Sequence, residues 1–196
     1  MSAIHEAVRQ DKAGRVKQLL AGGMFRKPVD PNERHGEQRT ALHDAAEMGR
    51  AEVTRVLLAG GANPNVHESD GCAPLHQAAE HGHAEVVRLL LDKGAALEAR
   101  CSYRLTPLLY AAQFDRTEVV EFLLTRGADA GAADTNGCTA LIWSAMRGNM
   151  IVAQLLIKAG ADVNAQDIEH HTALYYAQRE RHNDVVTFLQ NHGGTQ

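Results

Sequence analysis

Aromatic residues are scarce in this chain. One Trp, four Tyr and four Phe are spread over 196 residues. A core built on large rings is excluded, and each aromatic side chain near the surface becomes informative. Cysteines number three, so complete disulfide pairing is excluded. No apolar run reaches the roughly 18 residues that a membrane-spanning helix needs. The start, Met1-Ser-Ala-Ile-His-Glu6, has neither the basic nor the apolar segment of a secretory signal. The net charge of −4 is made of interspersed acids and bases, with no basic stripe to attract nucleic acid. Serines are few, at 2, 69, 102 and 144, and none lies in Gly-x-Ser-x-Gly. No Gly-x-x-x-x-Gly-Lys-Ser/Thr phosphate loop occurs. A nucleophilic triad has no visible members. Neither catalysis nor a cofactor is expected.

What the chain does have is a period. The segments Thr40-Ala-Leu-His43, Ala73-Pro-Leu-His76, Thr106-Pro-Leu-Leu109, Thr139-Ala-Leu-Ile142 and Thr172-Ala-Leu-Tyr175 begin 33 residues apart. Gly61, Gly94, Gly127, Gly160 and Gly193 follow the same spacing. Each unit reads as two helices. Thr caps the orphan N–H groups of the first helix, and Pro is tolerated at its first position. A Gly past the last apolar residue ends the second helix. Polar links such as Asn63-Pro-Asn65 and Asp134-Thr-Asn-Gly137 join the units. Neither helix could bury its apolar side alone, so neighbouring units must stack. Leu42, Leu75, Leu108, Leu141 and Leu174 are the expected core positions, one per repeat.

The 33-residue period and Ala73-Pro-Leu-His-Gln-Ala-Ala79 with Gly82-His-Ala-Glu-Val-Val87 resemble the ankyrin repeat. The resemblance covers almost the whole chain. It implies an all-α ankyrin-repeat solenoid, a single domain over 1–196, with repeats at about 1–34, 35–67, 68–100, 101–133, 134–166 and 167–196. The first unit, opening at Ser2-Ala-Ile-His5, lies 38 residues before the next. Val29-Asp-Pro-Asn32 aligns with Ala62-Asn-Pro-Asn65, which places a five-residue insertion at 24–28. The outer repeats are expected to be caps with polar faces. Cys72 and Cys138 then stand two repeats apart, too far for a disulfide, which needs Cα atoms within about 7 Å. Reduced thiols imply a cytoplasmic or nuclear protein rather than a secreted one.

Eleven histidines raise the question of metal. His81, His83 and Glu85 are close together, but Gly-His-x-Glu-Val-Val is the ordinary turn of the family. The resemblance gives His5, His43 and His76 a structural role, bonding backbone at helix starts. No metal site is expected. His170-His171 is read as solvated. The resemblance also implies one modification: Leu156, Asp162, Val163 and Asn164 match the pattern of asparagine hydroxylation in animal ankyrin repeats.

The informative constellation is aromatic. The position after the signature His reads Asp44, Gln77, Tyr110, Trp143, Tyr176. In the family this position lies on the concave face, so the last three would form a row, while Tyr175 and Phe122 belong to the core. Tyr103, Arg104, Phe114, Met146 and Arg147 surround that row. Arg104 replaces the Gly that Gly71 and Gly137 keep, and Asp115 replaces the turn Gly of Gly49, Gly82 and Gly148. Local rule-breaking beside aromatics points to a functional surface. The resemblance implies a monomeric binding scaffold for another protein, through repeats four to six. Alternatives remain: a nucleotide or small ligand stacked on the same aromatics, an enzyme, or a partner on the helical back face or the insertion.

Overall fold

The computed structural model describes residues 2–23 and 27–195. The chain falls into two compact units, Met1–Ser102 and Tyr103–Gln196. The first contains α1 (Ala3–Arg9) and α2 (Ala13–Ala21), α3 (Ala41–Glu47) and α4 (Ala51–Ala59), and α5 (Pro74–His81) and α6 (Ala84–Asp92). The second contains α7 (Pro107–Gln113) and α8 (Thr117–Thr125), α9 (Ala140–Arg147) and α10 (Met150–Lys158), and α11 (Ala173–Arg179) and α12 (Asn183–Asn191). Twelve helices thus form six helix–turn–helix repeats among the described residues, the all-α repeat architecture that the resemblance implies. A two-residue antiparallel pair, β1 (Arg34–His35) with β2 (Arg39–Thr40), makes one hairpin. Within each unit, first helices pack on first helices and second helices on second.

The sequence signals act where the chemistry requires. Thr106, Thr139 and Thr172 each accept the backbone N–H three residues on, at 3.3 Å. Each second helix from α4 onward ends two residues before a left-handed Gly: Gly61, Gly94, Gly127, Gly160 and Gly193 have φ between 83° and 90°. The five signature leucines are buried to 3% exposure or less. His43 bonds Cys72 O of the next repeat at 3.2 Å, and His76 bonds Ala99 O at the end of its own at 3.0 Å.

The register of the first repeat holds. Asn32 accepts from Asn63 N at 2.8 Å, as Asn65 does from Ala96 N and Asn164 from Thr195 N. Val29 N donates to Leu19 O, ten residues back, where Ala62 N reaches Leu57 O, five back. That difference of five is the insertion. Its Met24, Phe25 and Arg26 lie outside the described residues, and Lys27 and Pro28 are exposed.

One row of backbone bonds links the hairpin tips inside each unit. Ser69 N donates to Glu37 O and Ser102 N to Asp70 O in the first unit. Thr135 N donates to Tyr103 O and Ile168 N to Asn136 O in the second, all at 2.9–3.0 Å. The second unit's first helices and hairpins thereby become a fixed frame for side chains.

Candidate functional site

Three of the residues singled out in the sequence meet in one hollow of the second unit. Trp143 and Met146 of α9 and Tyr176 of α11 line a space of about 300 Å³, with Cys138, Asp167 and Ile168. Asn136 and Glu169 stand at its hairpin side. Each of the two aromatic side chains is held by a hairpin carboxylate nine residues before it. Trp143 Nε1 donates to Asp134 Oδ2 at 3.3 Å, and the Tyr176 hydroxyl donates to Asp167 Oδ2 at 2.6 Å. Each carboxylate is in turn fixed by its own turn. Asp134 Oδ1 accepts Asn136 N and Cys138 N, and Asp167 Oδ1 accepts Glu169 N and His171 N, at 2.8–3.0 Å. The rings are therefore rigid before any partner arrives.

The expected row is uneven in depth. Trp143 and Tyr110 are half-buried, while Tyr176 is 8% exposed. Tyr176 presents little free surface: Arg179 lies over its ring at 5.6 Å, and His171 meets its edge. Tyr110 stacks along its own helix on half-buried Phe114, with centroids 6.3 Å apart. Arg147 is exposed, and its Nε donates to Gln113 O at 3.0 Å. Tyr103 is 66% exposed at a hairpin tip, next to exposed Arg104. Tyr175 and Phe122, expected in the core, are both half-buried, the first stacked on His171 at 3.8 Å.

The two rule-breaking positions have different explanations. Arg104 keeps the left-handed backbone of the Gly it replaces, with φ 58°, as do Gln38 and His170 at the equivalent places. Asp115 is explained by packing. Where Gly49 and Gly148 occupy the helix–helix turn, a histidine ring of the next repeat lies over the turn. His83 Nε2 bonds Glu47 O at 2.9 Å and His182 Nε2 bonds Met146 O at 3.2 Å. A Cβ at either Gly would come within 2.6 Å of that ring. Where Asp115 stands, the next repeat offers Asn149, whose amide donates to the Asp115 carboxylate. Asp11 is likewise answered by Arg50 at 3.3 Å. Gly49 and Gly148 go with a histidine, and Asp11 and Asp115 with a donor, so Asp115 belongs to a matched pair.

Electrostatics sharpen the hollow. Burial opposes ionisation of Asp167, but the Tyr176 hydroxyl and the His171 and Glu169 amides outweigh it, holding the carboxyl below its usual range. Burial, reinforced by the same carboxylate, pushes the Tyr176 phenol upward. Burial and the nearby Asp134 push the Cys138 thiol to about 12, so it stays a protonated, unreactive wall. Asp134 and Asp167 form no ion pair with lysine or arginine among the described residues.

The residues at the hollow that sequence reading missed are Asp134, Cys138, Asp167, Ile168 and Glu169. Their signal was available: an acid and an aromatic side chain nine residues apart, twice, one repeat apart. Elsewhere, Glu68, Asp70 and Cys72 bring three ligand-type atoms within 4.8 Å of one another. Glu68 is already held by Arg39 and Gln77, and Asp70 Oδ1 by Cys72 N. No helix among the described residues is long and apolar enough to cross a membrane.

A family model described as Ankyrin repeats (3 copies) matches residues 57–134 and 108–196. A second, Ankyrin repeats (many copies), matches residues 25–76. No curated protein matches the chain.

Proposed function

Because the chain belongs to the ankyrin-repeat family, whose repeats are generally protein–protein interaction modules and typically not enzymes, we propose that it binds another protein through its second unit. The face is the one made by the hairpins and first helices of repeats four to six. One observation carries the reading: Trp143, the chain's single tryptophan, is half-buried, pinned by Asp134 and flanked by Met146 and 67%-exposed Ile168. A rigid aromatic anchor beside an exposed aliphatic one is the composition of a binding hot spot. Tyr103 and Arg104 extend the face along the hairpin tips, and Tyr110, Phe114 and Arg147 along the helices. Tyr176 serves as the wall behind Trp143 rather than as an anchor. A nucleotide fits the hollow less well, since Asp167 and Glu169 repel phosphate.

The test is affinity capture with mass spectrometry, followed by affinity measurement on the captured protein. Trp143→Ala is expected to weaken binding by about 2 kcal/mol or more. Asp44→Ala, at the equivalent place of the first unit, is expected to leave binding nearly unchanged. Equal effects of the two substitutions would overturn the reading.

A further inference from the structure

We propose that the hollow beside Trp143 receives the guanidinium of an arginine from the partner, at the place where the chain's own Arg39 lines the equivalent hollow of the first unit. The inference rests on the protein-binding reading above and gives the partner's chemistry at that site.

The argument is internal to the molecule. The first unit has a hollow of about 410 Å³ lined by Glu37, Arg39, Glu68, Ser69, Asp70 and Gln77. Three periods further along the chain, the same six places are Asn136, Cys138, Asp167, Ile168, Glu169 and Tyr176, and all six line the second unit's hollow. The two hollows are the same architectural position. In the first, Arg39 sits among carboxylates: Nη1 to Glu68 at 2.7 Å, Nε to Asp44 at 3.2 Å, and Nη2 to Glu47. In the second, Cys138 stands in the place of Arg39, and the residues lining the space include no lysine or arginine.

The surroundings of the missing guanidinium are kept in altered form. Glu68 becomes Asp167, still buried, at 6% exposure against 7%. Gln77, the neutral donor to Glu68, becomes Tyr176, the neutral donor to Asp167. Asp70 at the rim becomes Glu169, whose side chain is 70% exposed and lies 3.4 Å from His171 Nδ1. Asp44 becomes Trp143, and Glu47 becomes Met146, so two carboxylates are exchanged for an indole face and a thioether. Hydrogen bonds to neutral donors keep Asp167 ionised but do not neutralise it. Its Oδ2 accepts one bond from Tyr176, which leaves it a further acceptor position. Arg179, which lies over the Tyr176 ring, is itself paired with Glu180 at 3.3 Å and does not line the hollow.

A buried carboxylate, a rim carboxylate and an indole face around one open space suit a planar cation. Guanidinium is preferred over ammonium because it is flat, weakly hydrated, and able to stack on Trp while donating in its plane.

The single tryptophan gives a direct reporter, its indole N–H signal in a two-dimensional 1H–15N spectrum. The probes are the blocked pentapeptide acetyl-Gly-Gly-Arg-Gly-Gly-amide and its citrulline counterpart, equal in shape and uncharged. The arginine peptide is expected to shift the Trp143 signal saturably, and the citrulline peptide to bind roughly tenfold more weakly. Cys138→Arg, which returns a guanidinium to the hollow from within, is expected to abolish the response. Glu169→Gln, at an exposed side chain, keeps the test alive should Cys138→Arg fail to fold, and is expected to weaken the arginine peptide roughly threefold. Equal responses to the two peptides, or no saturable response to arginine, would overturn the inference. Partner capture that is lost on Trp143→Ala alongside equal peptide responses would overturn the arginine inference alone and leave the protein-binding reading standing.

Discussion

The two units use the same frame for opposite ends. In the first, the hairpin acid Glu68 and the helix acids Asp44 and Glu47 enclose Arg39, so charge is answered inside the chain. In the second, the hairpin acids Asp134 and Asp167 hold neutral aromatic side chains in place, and their charge is not answered by lysine or arginine. The hollow of one unit carries its own cation, and that of the other carries none. A solenoid's scaffold is set by what recurs, whereas its binding is set by what fails to recur. Here the non-recurring positions are Arg39/Cys138, Asp44/Trp143 and Glu47/Met146.

The comparison can be broken first at the scaffold, where the units should not differ. Leu42→Ala and Leu141→Ala remove equivalent side chains that are 0% and 1% exposed. Each is expected to cost about 2–5 kcal/mol in denaturant unfolding. A near-neutral result in one unit alone would mean that the shared frame is not shared.

Acid should separate the units. Burial, aided by the Arg39 charge, lowers the His43 pKa to about 4 against its backbone bond to Cys72. The equivalent places in the second unit are Leu109, Ile142 and Tyr175. Between about pH 6.5 and 4 the unfolded chain binds a proton at His43 that the folded chain refuses. This contribution is full above pH 6.5 and is lost as pH falls toward 4, by about 3 kcal/mol at most. Hydrogen exchange at falling pH should therefore show α3 opening more readily, and His43→Leu should flatten the dependence. An unchanged slope in that variant would contradict the assignment.

The charge network gives a smaller effect. Arg39→Met leaves Glu68, with a side chain only 4% exposed, without its cation. A loss of about 2 kcal/mol is expected from thermal or denaturant unfolding. Cys138→Ala, at the equivalent place, is expected to cost under about 1 kcal/mol. Similar losses would remove the distinction between a hollow that carries its own cation and one that does not. The smallest effect concerns Arg104, whose φ of 58° suits Gly. Arg104→Gly should raise stability by up to about 1 kcal/mol while weakening partner binding. A stabilised variant with full binding would remove Arg104 from the interface.

Much of this was legible in the sequence, and the rest had identifiable reasons for being hidden. Helices, caps, core leucines and the insertion register follow from a strict period, because each recurring residue answers a recurring local need. The shared register of the aromatic positions was legible, but their depths were not. Tyr176 is buried because its hydroxyl finds Asp167, a contact between a hairpin and a helix that periodicity does not display. Asp115 looked like a broken rule because its partner, Asn149, lies 34 residues away in the next repeat. Arg39 gave no signal, since its three acids come from two different repeats.

The central claim is that the second unit carries the binding face. Hydrogen–deuterium exchange on the protein with and without its captured partner tests this most directly. The account predicts partner-dependent protection at 134–147 and 166–176, with little change at 35–47 and 68–77. Protection confined to the first unit's segments would contradict it.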